Sequence, residues 1–221
     1  TNGSVLTLPY HGIESYANWK PNADFLAGVP QVDWEKVHPD MIVTGMCNMG
    51  RYQTLSRLLQ VILCRSQMYT FGRLQATVFC DATTVDQSKT LHGERGFRPV
   101  SIWTHGTAEL EVLDTMPADS FWLPTKKEMK VVRITPLVHP LITAPVETVQ
   151  HIMILLFTKK RQPLSVAIKA VAPSAEELLV GMNIDPNQPP YTMTVAQMNE
   201  LAWRFERWAH RPPTLESALS T

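Results

Sequence analysis

Residues that commonly carry catalysis are scattered through this chain, and one short motif resembles part of a zinc site. His92-Gly93-Glu94 has the H-x-E form of the zinc-dependent nucleobase deaminases, which complete their metal site with a later P-C-x-x-C. No cysteine follows Cys80, so the second half of that site is missing. The seven histidines form no H-x-H pair and no HExxH motif. We therefore predict no metal-binding residues.

The sequence also lacks the short motifs that hold phosphates or activate a nucleophile. It contains no G-x-G-x-x-G loop, no P-loop and no G-x-S-x-G elbow. Serine, histidine and aspartate all occur, but a catalytic triad is assembled in space and their abundance does not reveal one. We therefore find no motif that marks a catalytic residue or a cofactor site.

The charge balance argues against a dedicated nucleic-acid binder but leaves room for a local basic face. The 20 Lys and Arg residues equal the 20 Asp and Glu residues, whereas proteins that grip a nucleic-acid backbone usually carry a basic surplus. Two basic clusters stand out, Lys126-Lys127 and Lys159-Lys160-Arg161. Each cluster is explained either by a solvated turn or by a loop that faces phosphate. These five residues are our candidate RNA contacts.

The cysteines and the apolar runs indicate the compartment. Cys47, Cys64 and Cys80 are odd in number and form no C-x-x-C pair, which favours an intracellular chain with free thiols. The longest apolar run, Ile152 to Phe157, is too short to cross a bilayer, so we expect no membrane association. The chain begins at Thr1 without an initiator methionine, which suggests trimming or cleavage from a precursor.

A helix that leads into a strand dominates the middle of the chain. Residues Thr54 to Leu63 carry apolar side chains at a helical spacing. After Gly72 the period falls to two, because Leu74, Ala76, Val78 and Cys80 alternate with polar or partly polar residues. The pattern predicts a short helix that is followed by a half-buried strand.

Most of the remaining chain is typical of short strands separated by loops rich in proline and glycine. The segments His151 to Thr158 and Leu164 to Ala170 predict a hairpin around a basic turn. Because strands do not alternate regularly with helices, an antiparallel sandwich or barrel is expected instead of a parallel sheet. The other predicted strands are Met41–Thr44, Val100–Thr104, Ala108–Leu113 and Met129–Ile134.

Both ends of the chain differ from this strand-rich middle. Residues 194–210 predict an amphipathic helix with a Thr194/Gln197 capping box and an apolar stripe. Residues 1–40 have no period and suggest an extended arm. Aromatic and apolar side chains of both ends can pack either on their own chain or on another subunit, and large permanent interfaces are rich in aromatic residues, so they are candidates for contacts between subunits. These candidates are Trp19, Phe25, Trp34, Leu201, Phe205 and Trp208.

The central helix and strand resemble a recurring stretch in the coat proteins of picorna-like plant viruses, the secovirids and their cheravirus type. The resemblance rests on Leu58-Leu59, on Gly72 with Leu74, Ala76 and Val78, and on the later hairpin. It implies an all-β fold: a single eight-stranded antiparallel jelly-roll sandwich with short helices and extended terminal arms. Under this resemblance, residues 1–40 form an N-terminal arm, residues 41–180 the jelly-roll domain and residues 181–221 a C-terminal extension.

The same resemblance implies a structural role without an active site, so we expect no catalytic residues, no cofactor and no enzymatic activity. It predicts a capsid subunit, cleaved from a polyprotein, that assembles with like and unlike subunits into an icosahedral shell around genomic single-stranded RNA. The location would be the virion, with assembly in the host cytoplasm. The alternatives are a viral movement or RNA-binding accessory protein, a cupin-like metalloenzyme on a jelly roll, and a cellular β-sandwich binding module.

Overall fold

The structure contains one mixed sheet of four strands. It is a computed structural model and describes residues 28–46, 52–120 and 127–212. The strands are Val37–Met46 (β1), Arg73–Asp81 (β2), Ala108–Met116 (β3) and Met129–Pro136 (β4), in the spatial order β1-β2-β4-β3. β1 pairs with β2 in parallel, and the other two pairings are antiparallel. The prediction of an eight-stranded antiparallel jelly roll is therefore wrong.

Within the described residues, six α-helices share a buried core with this sheet, so this part of the chain is a mixed α/β structure. They are Tyr52–Leu63 (α1), Ala82–Lys89 (α2), Pro99–Thr107 (α3), Val146–Thr158 (α4), Leu164–Ala167 (α5) and Val195–Glu206 (α6). The short 3-10 helices are Gln67–Phe71, Ile168–Ala170, Ala175–Leu179 and Pro190–Thr192. Within the described ranges, no helix has the length and apolar character needed to cross a bilayer.

The predicted passage from helix to strand in the middle of the chain is confirmed. α1 buries Leu55, Leu59 and Ile62 completely, as its helical spacing predicts. β2 alternates between buried and half-buried positions from residue 73 to residue 80, because successive side chains of a strand point to opposite faces. Since α1 connects two parallel strands, this part of the chain is a βαβ unit and not the entry to a sandwich.

The predicted late hairpin is wrong, because both of its strands are helical. Residues 151–158 lie in α4, and residues 164–167 form α5. A continuous apolar run cannot distinguish a buried strand from a helix that is buried on several sides. α4 is a buried helix. It is 13 residues long and buries Val149, Ile152 and Leu156 in the core.

A second group of errors lies between β2 and β3, where the sequence suggested a long loop and a strand over Val100–Thr104. The loop contains α2, whose first turn is capped by Asp81 through a hydrogen bond from the Thr84 backbone N–H at 2.9 Å. The suggested strand lies in α3, which begins at Pro99, a residue that is preorganised for the first helical position.

The C-terminal helix matches its predicted capping box. The Thr194 hydroxyl accepts from the Gln197 N–H at 3.1 Å, and the Gln197 side chain accepts from the Thr194 N–H at 2.9 Å. The helix ends at Glu206, earlier than predicted. The centre of its apolar stripe, including Met198 and Leu201, is fully buried in the same core as the sheet.

Candidate nucleic-acid interface

A cleft with a basic lining lies where three loops of the chain meet. It has a volume of about 250 Å3 and is lined by Arg95, Lys160, Arg161 and Tyr191. Arg95 belongs to the connection between α2 and α3, the pair Lys160-Arg161 to the turn after α4, and Tyr191 to a 3-10 turn ahead of α6. Because these loops are far apart in sequence, the tertiary fold assembles the cleft.

The loop that carries Arg95 is anchored by a buried aromatic side chain. Phe97 is only 1% exposed, and its ring centroid lies 6.3 Å from that of Phe157 on α4. The Glu94 carboxylate accepts a hydrogen bond from the Leu91 N–H at 3.0 Å, which closes the turn just before Arg95. Packing and a local hydrogen bond therefore hold the loop against the end of α4.

Two hydrogen bonds join the three loops directly. The Lys160 ammonium donates to the Arg95 carbonyl at 3.2 Å, and the Gly93 N–H donates to the Tyr191 carbonyl at 2.9 Å. Gly93 has a φ of +89°, a conformation that favours glycine because it lacks a Cβ atom. The Arg95 loop thus contacts both of the other loops that form the cleft.

The turn after α4 is held by the segment that precedes Tyr191. The Leu164 N–H donates to the Gln188 carbonyl at 2.8 Å, and the Ser165 N–H donates to the Pro186 carbonyl at 2.9 Å. These backbone bonds fix the start of α5 and hence the position of the basic turn ahead of it. Backbone hydrogen bonds between the loops therefore help to fix the position of the residues that line the cleft.

The cleft concentrates positive charge in a chain whose net charge is zero. In the part of the chain that the structure describes, Arg95, Lys160 and Arg161 form no ion pair with a carboxylate; the pairs found there involve other cations. Arg95 and Arg161 are exposed and Lys160 is half-buried. Unneutralised cations around a concave surface produce a positive local potential, so the cleft suits an anion.

The predicted basic clusters have different surroundings. Lys160 and Arg161 line the cleft, and Lys159 is an exposed residue directly before them. Lys127 instead donates to the Thr83 hydroxyl at 3.3 Å, beside α2. Lys126 lies outside the described residues.

Sequence reasoning missed Arg95 and Tyr191, the other two residues that line the cleft. A signal for the first was present, since Arg95 and Arg98 flank Gly96 in a short polar loop. No local signal marks Tyr191, whose place in the cleft depends on a contact with residues almost a hundred positions earlier.

The aromatic candidates for a subunit interface contact their own chain where they are described. Trp34 is half-buried, its indole N–H donates to the Leu137 carbonyl at 3.1 Å, and the Arg65 guanidinium lies 4.6 Å from its ring centroid. Trp19 and Phe25 lie outside the described residues.

The candidates on α6 likewise have partners within the chain. Leu201 and Phe205 are fully buried in the core. Trp208 is half-buried, and its ring centroid lies 6.3 Å from that of Phe205. Burial within the chain therefore accounts for the apolar stripe of α6 without a second subunit.

A polar cluster joins α4 to α6. Glu206 accepts hydrogen bonds from the Thr148 hydroxyl and from the Arg211 guanidinium, which together lower the pKa of its carboxyl group. His151 lies nearby with both ring nitrogens unpaired, and burial, aided by Arg211, lowers its pKa. Because the hydrogen bonds of Glu206 to Thr148 and Arg211 remain inside the fold, we interpret this cluster as a packing contact.

The carboxyl end of the parallel strands is the place where open α/β sheets usually bind ligands. Residues 47–51, which follow β1, lie outside the described residues. Asp81 at the end of β2 is only 4% exposed, and its carboxylate accepts from both the backbone and the hydroxyl of Thr84. Within the described ranges, no three His, Cys, Asp or Glu side chains are grouped so that they could hold a metal ion.

The similarity to known proteins points to RNA methyltransferases. No family model matches the chain. It is 23% identical over 183 residues to a mitochondrial dimethyladenosine transferase 1 from Vermamoeba vermiformis. The aligned region covers 82% of this chain and 53% of the relative. A ribosomal RNA small subunit methyltransferase A from Roseobacter denitrificans is 26% identical over 43% of this chain and 34% of the relative. The chain thus spans about half the length of the first of these relatives.

These relatives overturn the viral interpretation. The matching proteins are mitochondrial or bacterial transferases. The predictions of a coat protein, a movement protein or a cupin-like enzyme are therefore wrong. The predicted virion location and the predicted capsid partners are wrong for the same reason. The expectation that the chain is not an enzyme is contradicted by the same similarity.

The fold agrees with this correction. The crystal structure of a dimethyladenosine transferase from Plasmodium falciparum superposes with a TM-score of 0.55 at 12% identity, covering 79% of this chain and 70% of that one. At this identity the likeness concerns the fold alone. The chain therefore has the mixed α/β fold of a dimethyladenosine transferase.

Proposed function

We propose that this chain is part of an RNA adenine dimethyltransferase and that its basic cleft binds the RNA backbone. RNA binding is proposed because three cations line the cleft and form no ion pairs with described carboxylates. These cations are Arg95, Lys160 and Arg161. The transferase part of the proposal is supported by the similarity to dimethyladenosine transferases over most of the chain.

The cations of the cleft have the chemistry that phosphate recognition needs. An arginine guanidinium can donate two parallel hydrogen bonds to one phosphate, and a lysine ammonium acts as a compact point charge. A phosphodiester backbone carries one negative charge per nucleotide, so two or three cations can be engaged by neighbouring phosphates. This local arrangement explains how a chain with zero net charge can bind RNA.

The cleft does not suit the methyl donor that such a transfer requires. S-adenosylmethionine, the usual biological methyl donor, carries a positively charged sulfonium, which the three cations would repel. The cleft itself therefore does not fit the donor, and we assign it to RNA alone.

The RNA contact is tested with the double variant Lys160→Gln/Arg161→Gln. We expect its affinity for a labelled single-stranded oligoribonucleotide, measured by fluorescence anisotropy, to fall about tenfold or more at low salt. The slope of log affinity against log salt should become shallower by about 1.4, because each lost phosphate contact removes about 0.7.

Lys36→Gln is the matched control, since Lys36 is exposed and lies ahead of β1. If the control and the double variant lose affinity equally, or if neither loses any, the cleft is not the RNA site. Methyl transfer is measured separately as dimethyladenosine in ribosomal RNA incubated with the protein and S-adenosylmethionine. RNA binding without product would oppose the transferase part of the proposal and leave the RNA contact standing.

A further inference from the structure

The basic cleft also contains an aromatic residue that charge alone does not explain. Tyr191 lines the cleft together with the cations, and it is half-buried. Its backbone is fixed, because its carbonyl accepts from the Gly93 N–H and it follows Pro189 and Pro190 in a 3-10 turn. Because its backbone is already fixed, ligand binding does not have to order the backbone of Tyr191.

The size of the cleft indicates which ligand it fits. Its volume of about 250 Å3 is below the roughly 300–1,000 Å3 that is typical of pockets for small molecules. A complete free ligand would be poorly enclosed, whereas a polymer can place one base and its adjoining phosphates there and leave the rest of its length outside. Proteins that bind single-stranded nucleic acid combine these elements, a basic groove and an aromatic side chain on which a base stacks.

We propose that Tyr191 stacks on an unpaired base of the RNA while Arg95, Lys160 and Arg161 hold the adjoining phosphates, so that the cleft selects single-stranded RNA over duplex RNA. This inference rests on the proposed function, since it requires that RNA occupies the cleft. In a duplex the bases are paired and stacked on one another, so the Tyr191 ring gains no base contact there. The phosphates remain available in both forms, and the cations alone would not discriminate between them.

The test compares Tyr191→Leu and Tyr191→Phe with the unmodified protein. The probes are a short single-stranded oligoribonucleotide, its duplex and the same single strand with one abasic position placed in turn along it. We expect Tyr191→Leu to bind the single strand about tenfold more weakly, while Tyr191→Phe keeps the affinity because it keeps the ring. Duplex affinity should not change in either variant.

The abasic probes keep the test informative even if Tyr191→Leu is less stable. One abasic position should weaken binding to the unmodified protein but have no further effect on Tyr191→Leu, because both changes remove the same contact. Equal affinity of Tyr191→Leu and unmodified protein for the single strand would overturn the stacking contact. So would an equal loss on single strand and duplex, or the absence of any abasic position to which the unmodified protein is sensitive.

The two proposals can fail separately. If Lys160→Gln/Arg161→Gln weakens binding but Tyr191→Leu does not, RNA occupies the cleft and only the stacking contact is wrong. If the double variant binds RNA as well as the unmodified protein does, the RNA site itself is wrong.

Discussion

At the scale of single residues, His151 shows how burial changes the chemistry of a side chain. It is 9% exposed, its ring centroid lies 5.7 Å from that of Phe205, and neither ring nitrogen has a hydrogen-bond partner. Burial lowers its pKa, and the nearby Arg211 lowers it further. The neutral form is therefore favoured in the folded protein.

This placement makes stability depend on pH. Because the pKa of His151 is lower in the folded state, the unfolded chain binds more protons once the pH falls below the ordinary histidine value of about 6.5. We expect the free energy of unfolding to decrease between about pH 7.5 and about pH 5.5. The pKa of Glu206 is lowered too, so its carboxylate stays ionised in that range and loses its stabilising contacts only in stronger acid.

Urea denaturation of His151→Leu isolates this contribution. The variant should be at least as stable as the unmodified protein near neutral pH, because it removes two buried polar atoms without partners. It should also lose less stability in acid. His139→Leu, at an exposed histidine, is the control. An identical pH dependence of His151→Leu and unmodified protein would contradict this reasoning.

The residues of the cleft show what sequence reasoning could recover at this scale. Lys160 and Arg161 were predicted as RNA candidates because a run of cations between two apolar segments is visible locally. The stacking candidate Tyr191 was not, because its position depends on the bond to Gly93 and on the packing of Phe97 against Phe157. Such contacts between distant parts of a chain leave no periodic signal.

At the scale of elements, the start of α6 was predicted well and the apolar runs poorly. The Thr194/Gln197 capping box is a local pattern that needs only four residues, and the structure contains both of its hydrogen bonds. The apolar residues of α4 are almost continuous, a pattern that predicts a buried strand as readily as a buried helix. The predicted strand in place of α4 favoured an all-β fold.

The capping box of α6 gives a prediction at this scale. Thr194→Ala should lower the free energy of unfolding by about 1 kcal/mol, because the Gln197 N–H loses its acceptor. Thr194→Ser retains the hydroxyl and should be close to the unmodified protein. Thermal denaturation followed by circular dichroism measures both variants. A loss of the same size in Thr194→Ser would indicate that the methyl group, and not the cap, stabilises the helix.

At the scale of the whole molecule, the resemblance to viral coat proteins failed because its pattern is not specific. A helix followed by an alternating strand occurs in a jelly roll and also in a βαβ unit, and only the pairing of β2 with the parallel strand β1 separates the two. Net charge was also uninformative at this scale. A sum of zero conceals the concentration of cations around one cleft.

The most direct test of the account maps where RNA touches the protein. A single-stranded ribosomal RNA fragment with photoreactive uridines would be cross-linked to the protein, and the linked peptides identified by mass spectrometry. We expect the cross-links to concentrate in peptides that contain Arg95, Lys160-Arg161 or Tyr191, and to disappear from them in Lys160→Gln/Arg161→Gln. Cross-links confined to other surfaces, such as the exposed side of β3, would contradict an RNA site in the cleft.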